Sequence, residues 1–214
     1  MKTHNNLEET RDRILKAAKV QFLSNGYDTT RLDDIVRDAH VSKTTIYKIF
    51  GGKQELFMAL NEAIIEEVLS SIQKPQSQQR TSLENVKDYL TKLGTEYLTS
   101  LTKQERLALL RLNISIATRF NDTAQHYYQA GPGTLQAILS EYLNDIHDTN
   151  ILMFPDPTEA AGQFLALVRG NHHLQALLND DYEISPETIS SYITSVVTLF
   201  IKAHQSSTSP TSAG

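Results

Sequence analysis

The 214-residue sequence has no cysteine and no tryptophan, and only six prolines and nine glycines. Without thiols there is no disulfide framework, no thiolate nucleophile and no Cys-based metal site. No run of eighteen apolar residues occurs and the N-terminus lacks an export-signal pattern, so neither a membrane span nor secretion is indicated and a cytoplasmic location is expected. Patterns that announce enzymes are missing too: there is no Gly-x-Ser-x-Gly, no phosphate-binding glycine loop and no His-Glu-x-x-His. Catalysis and a cofactor are therefore not expected. Few helix breakers and a 40% apolar content leave room for a sizeable helical core.

Charge is divided unevenly along the chain. Residues 1–56 hold ten Lys or Arg against eight Asp or Glu, a balance of +2, whereas residues 57–214 hold ten against seventeen, a balance of −7. A mildly basic head on an acidic bulk suits a protein that touches nucleic acid with one end only.

That head contains the most informative stretch, Thr29 to Phe50. Thr30 with Asp33 reads as the cap of a helix whose apolar positions Leu32, Ile35, Val36 and Ala39 share one face. Ser42 caps a second helix across a turn of Ala39-His40-Val41, with Val41, Ile46 and Phe50 spaced to face inward. Lys43, Thr44, Tyr47 and Lys48 are then left outward. Cations, hydroxyls and a phenol on a short exposed helix suit phosphate oxygens and base edges, so the stretch reads as a helix-turn-helix for the major groove. At the turn, His40 is the residue that needs a positive φ, which costs a non-glycine residue roughly 1 kcal/mol.

The flanks extend the pattern: Arg13-Ile14-Leu15-x-Ala17-Ala18-x3-Phe22-x3-Gly26-Tyr27-x2-Thr30 upstream, and Phe50-x2-Lys53-x2-Leu56 downstream. With Ile35, Ala39, Val41-Ser42-Lys43 and Thr45-Ile46-Tyr47 between them, these residues resemble the DNA-binding domain of the tetracycline-repressor (TetR) family of bacterial regulators. The resemblance covers about the first quarter of the chain. It departs from the family at the turn, where His40 stands for the usual Gly, and at Val36, which stands for the usual Ala.

The remainder reads as all-α. Helices are expected over about 7–24, 53–72, 82–101, 103–120, 122–130, 133–147, 158–178 and 186–204, the last opened by Ser185 with Pro186 at its first position. A loop is expected over 73–81. The expected division is a helix-turn-helix domain over 1–56, a helical regulatory and dimerisation domain over 57–205, and a disordered tail over 206–214.

The resemblance implies a ligand-responsive repressor that binds double-stranded, palindromic operator DNA as a homodimer and is released by a small molecule. An activator, or a ligand-binding module without operator affinity, would share the same residues. Expected DNA contacts are Arg31, Ser42, Lys43, Thr44, Thr45, Tyr47, Lys48 and, by likeness to the family's lysine, Lys53. The last two helices pair between subunits in the family. Their apolar residues Phe164, Leu167, Val168, Ile193, Val196, Val197 and Phe200 are assigned to that interface, their surface being too broad for one intramolecular stripe. Tyr97, Arg111, Asn113, Tyr127 and Tyr128 fall on the helices where the family encloses its ligand, and their aromatic character favours an apolar or aromatic effector. His172-His173 is not expected to bind metal, since adjacent helical side chains diverge by about 100°.

Overall fold

Residues 2–72 and 82–205 are described by the structure, a computed structural model; the loop expected over 73–81 and the tail expected over 206–214 lie outside them. All the regular elements among these residues are helical. They are α1 (Lys2–Asn25), α2 (Leu32–Ala39), α3 (Lys43–Phe50), α4 (Lys53–Ser71), α5 (Leu83–Leu101), α6 (Gln104–Ile116), α7 (Asn121–Tyr128), α8 (Thr134–Asp148), α9 (Pro157–Leu178) and α10 (Pro186–His204). Gly131-Pro132-Gly133 does not break the chain as its composition suggests. It lies in a wide π-helical turn, Gln129–Gly133, that runs from α7 into α8. None of the described helices is long and apolar enough to cross a membrane.

Packing divides the chain into two units. One comprises residues 1–69 and 104–132, the other 70–103 and 133–214. Helices α6 and α7 thus pack with the head, although they lie beyond the boundary expected at residue 56.

In the first unit, Ile14, Ala18 and Phe22 of α1 meet Ile35 of α2, Ile46 of α3 and Leu56, Phe57 and Leu60 of α4, with Leu109 and Ile116 of α6 closing the core. Gly26 takes φ +81° and stops α1, and the Tyr27 ring then stacks on Phe22 at 5.7 Å, as the sequence implies. Thr30 differs from expectation. Its hydroxyl donates to the Gln21 and Gly26 carbonyls at 2.9 and 2.7 Å from a buried position, so it ties the turn to α1 and caps nothing. The residue at the N-cap of α2 is Arg31, whose side chain makes no cap bond.

Helix α4 is joined to α6 and α7 by polar pairs along its length. Gln54 donates to the Thr123 hydroxyl at 3.0 Å, His126 meets Glu62 at 2.7 Å, and Arg106 meets Glu67 at 3.0 Å. Between them, Asn61 and Asn113 exchange reciprocal amide hydrogen bonds of 3.1 Å while 0% and 3% exposed. A buried amide pair of this kind is selective about helix register, because any offset strands both groups in an apolar core. Asn61→Leu should therefore cost about 1–3 kcal/mol, and adding Asn113→Leu should recover most of it, since two apolar groups replace two polar ones. Urea unfolding of the single and double variants measures this; equal losses in both would show that packing volume, and not the amide pair, dominates.

The second unit is built from α5, α8, α9 and α10. Gly94 on α5 lets that helix approach closely: a Cβ there would lie 3.1 Å from Ile193 and 3.3 Å from Val168. Asp156 caps α9 through the Thr158 and Glu159 amides, and Ser185 caps α10 through the Thr188 amide at 3.2 Å, each followed by proline at the first helical position. Helix α9 breaks at Gly170, with φ +43° and ψ −151°. The Tyr192 hydroxyl fills the break and donates to the Leu167 carbonyl at 2.6 Å.

Candidate nucleic-acid interface

The recognition element is set by two local signals. His40 adopts the left-handed conformation, φ 53° and ψ 47°, and the Val41 amide reaches back to the Val36 carbonyl at 3.2 Å, closing α2. Ser42 then accepts from the Thr45 amide at 3.1 Å and opens α3. The second turn of α3 is anchored by Ile46, fully buried. That burial aims the opposite side of the helix at solvent.

The exposed set on and around α3 is Lys43, Thr44, Tyr47 and Lys48, with Ser42 exposed at its start and Arg31 exposed at the start of α2. Tyr47 is half exposed, a large aromatic surface with nothing packed over much of it. Thr45 differs: it is half-buried and its hydroxyl lies 2.8 Å from Ser42 Oγ, so it completes the cap of α3. Lys43 Nζ is 3.0 Å from an Asp33 carboxylate oxygen, which holds the ammonium's pKa above its usual value. An arriving phosphate therefore competes with Asp33 for this lysine.

Lys53 sits apart, at the start of α4. Its ammonium lies 4.7 Å over the Tyr27 ring and donates to the Asp28 carbonyl at 3.3 Å. Partial burial lowers its pKa, opposed by the Asp28 charge. Asp28 is itself gripped at both carboxylate oxygens by Arg119, at 3.0 and 2.7 Å. That bidentate bond is the main reason its carboxyl titrates below the ordinary range. Arg119 could not be tied to this site from sequence, because 91 residues separate it from Asp28.

The residues expected to hold an effector are divided between the units. Tyr97 is buried in the second, at 4% exposure. Arg111, Asn113, Tyr127 and Tyr128 belong to the first. The Asn113 amide is hydrogen-bonded to Asn61 and to the Leu109 carbonyl. Tyr127 packs on the head core, whereas Tyr128 is half exposed. Grooves of about 570 Å³ beside Met153, Glu159 and His204, and of about 410 Å³ beside Arg13, Lys16 and His40, are lined by other residues.

Most of the residues expected at a dimer interface are buried within the single chain. Phe164, Val168, Ile193, Val197 and Phe200 are 0–2% exposed within a single chain, Val196 is 6% exposed and Leu167 half-buried. The first five fill the unit's own core and have almost no surface left for a partner. The large apolar side chains that α9 and α10 leave exposed are Leu174, Leu178 and Leu199. Among the described residues no group of three or more His, Asp or Glu could hold a metal ion. His172 is hydrogen-bonded to the Tyr182 hydroxyl at 2.6 Å, and burial next to Arg169 pushes the pKa of His173 down.

Comparison with known proteins agrees with this geometry. Residues 14–60 match the bacterial regulatory proteins of the tetR family, and residues 88–206 match the C-terminal domain of AefR-like transcriptional repressors. The HTH-type transcriptional regulator YvkB of Bacillus subtilis strain 168 is 26% identical over 164 residues, covering 77% of this chain and 82% of YvkB. The solved structure of the flavonoid-responsive regulator FrrA superposes with a TM-score of 0.80 at 30% identity, covering 92% of this chain and 98% of FrrA. A regulator structure from Mesorhizobium loti shares the fold with a TM-score of 0.83 at 22% identity, over 93% of this chain and 98% of its own. With an all-α fold, a helix-turn-helix head and both family domains matched, this chain is a transcriptional regulator, not an enzyme, and belongs to the TetR family.

Proposed function

We propose that this protein is a cytoplasmic repressor that occupies a palindromic operator as a homodimer and leaves it when a small aromatic molecule binds. Residues 1–56 read DNA, and residues 57–205 serve regulation and dimerisation. The observation that carries the reading is the outward set on α3, Thr44, Tyr47 and Lys48, presented by a capped helix whose other side is anchored in the core. Thr44 and Tyr47 face base edges; Arg31, Lys43, Lys48 and Lys53 take phosphates. The Leu174, Leu178 and Leu199 surfaces of α9 and α10 meet a second copy. An aromatic effector is supported by the name of FrrA, a flavonoid-responsive protein of similar sequence and fold.

DNA binding is tested by titrating duplex DNA from upstream of the protein's own gene over a range of salt. Lys48→Ala or Lys53→Ala should weaken all sequences alike and make the slope of log K against log salt shallower by about 0.9 per lost contact, so by about 1.8 in a dimer. Unchanged slopes would remove these lysines from the interface. Release is tested by adding flavonoids to the same complex. By linkage, a compound that weakens DNA binding must itself bind more weakly when DNA is present, by the same factor. A reporter assay with the gene deleted separates a repressor from an activator, because the same head serves both.

A further inference from the structure

We propose that Arg119, far outside the helix-turn-helix, is a positioning residue for DNA binding: it cancels the Asp28 carboxylate beside Lys53 so that the phosphate taken there meets a favourable potential. The inference rests on Lys53 being a phosphate contact.

Three groups crowd the start of α4. Lys53 reaches over the Tyr27 ring to the Asp28 carbonyl, and Asp28 presents its carboxylate from the turn between α1 and α2. Glu55 lies close enough to act on the Tyr27 phenol, as Asp28 does. Left uncancelled, the Asp28 carboxylate would offset the charge of Lys53, an unfavourable setting for a phosphate. Arg119, in the segment between α6 and α7, closes on both oxygens of Asp28 and restores the balance. Neighbouring Phe120 packs on Tyr27 with ring centroids 5.3 Å apart, so the arginine is delivered by a fixed aromatic contact.

The pair is not needed to hold the unit together. Its side chains are 51% and 65% exposed, and ion pairs in such solvent contribute little to folding. Its effect is therefore expected at an approaching anion. It also gives α6 an electrostatic route to the DNA surface.

The test uses full-length protein and a labelled random-sequence duplex of about 30 base pairs, because phosphate contacts act in non-specific binding too. At low salt, Arg119→Ala should weaken binding roughly three- to tenfold, and the loss should shrink as salt approaches about 0.5 M, where charges a few ångströms apart are screened. Asp28→Asn should bind at least as tightly as wild type. The double variant Arg119→Ala/Asp28→Asn, with both charges gone, should return to about wild-type affinity, with thermal melts unchanged throughout. If Asp28→Asn loses affinity as Arg119→Ala does, the pair is a mechanical tie and the proposal is wrong; it is equally wrong if Arg119→Ala has no effect while Lys53→Ala does. Should Lys53→Ala itself leave binding and salt slope intact, the reading of Lys53 fails, and with it the basis of the inference.

Discussion

Phe200→Asp is expected to leave the second unit unfolded, and not merely to split a dimer. The ring is 2% exposed, meets Phe164 edge-on at 5.0 Å, and has Phe154 and His204 at 5.9 and 4.5 Å. Removing a buried phenylalanine costs about 3–5 kcal/mol, and leaving an unpaired carboxylate in its place adds several more. Together these rival the whole stability of an ordinary domain, about 5–15 kcal/mol. Loss of the cooperative thermal transition measures it. Leu178→Asp with Leu199→Asp makes the contrast, because these side chains are 78% and 58% exposed. That variant should melt like the wild type yet sediment as a monomer. A Phe200→Asp protein that stayed folded would overturn the internal placement of this ring.

Gly170→Ala should also be destabilising, by less and for a different reason. At φ +43° and ψ −151° only glycine is comfortable, and an added Cβ would fall onto the Tyr192 hydroxyl oxygen. Strain of about 1–3 kcal/mol would be joined by loss of the hydrogen bond to Leu167, about 1 kcal/mol more. Tyr192→Phe removes only that bond and should cost correspondingly little. Adding Tyr192→Phe to Gly170→Ala should recover only part of the loss, since the backbone remains strained whatever stands opposite. Denaturant midpoints of the three variants decide this. A Gly170→Ala protein of wild-type stability would mean that α9 is not broken at this residue.

What the sequence disclosed was local. His40 in a left-handed turn, Ser42 capping α3 and Tyr27 folding back on Phe22 each depend on residues within five positions of one another, and each signal survives in the linear order. Even there, Thr30 misled, because a hydroxyl three residues before an acid reads as a cap whether or not a carbonyl of the preceding helix claims it first. Periodicity located the apolar face of α10 but could not say what covers it. Phe200 and Val197 turn inward to the same chain, while Leu199 turns out. Pairings across long separations left no trace. Asn61 looks like an ordinary polar residue in α4 until Asn113 is brought beside it, and Arg119 looks like a solvated cation until Asp28 is. Gly170 is similarly silent, since an isolated glycine in a helical pattern is normally tolerated.

The polar pairs between α4 and α6–α7 bear on what kind of motion the head can make. Sliding one helix past another by a single turn displaces it about 5.4 Å, far beyond hydrogen-bond reach. The partners of Gln54, Asn61, Glu62 and Glu67 are a hydroxyl, an amide, an imidazole and a guanidinium, so no shifted alignment offers each of them a chemical equivalent. The assembly has one tooth pattern and no second notch. Like a keyed joint it does not ratchet, so a displacement of α7 that keeps these pairs is shared by α4 and does not become a slip of one helix along the other.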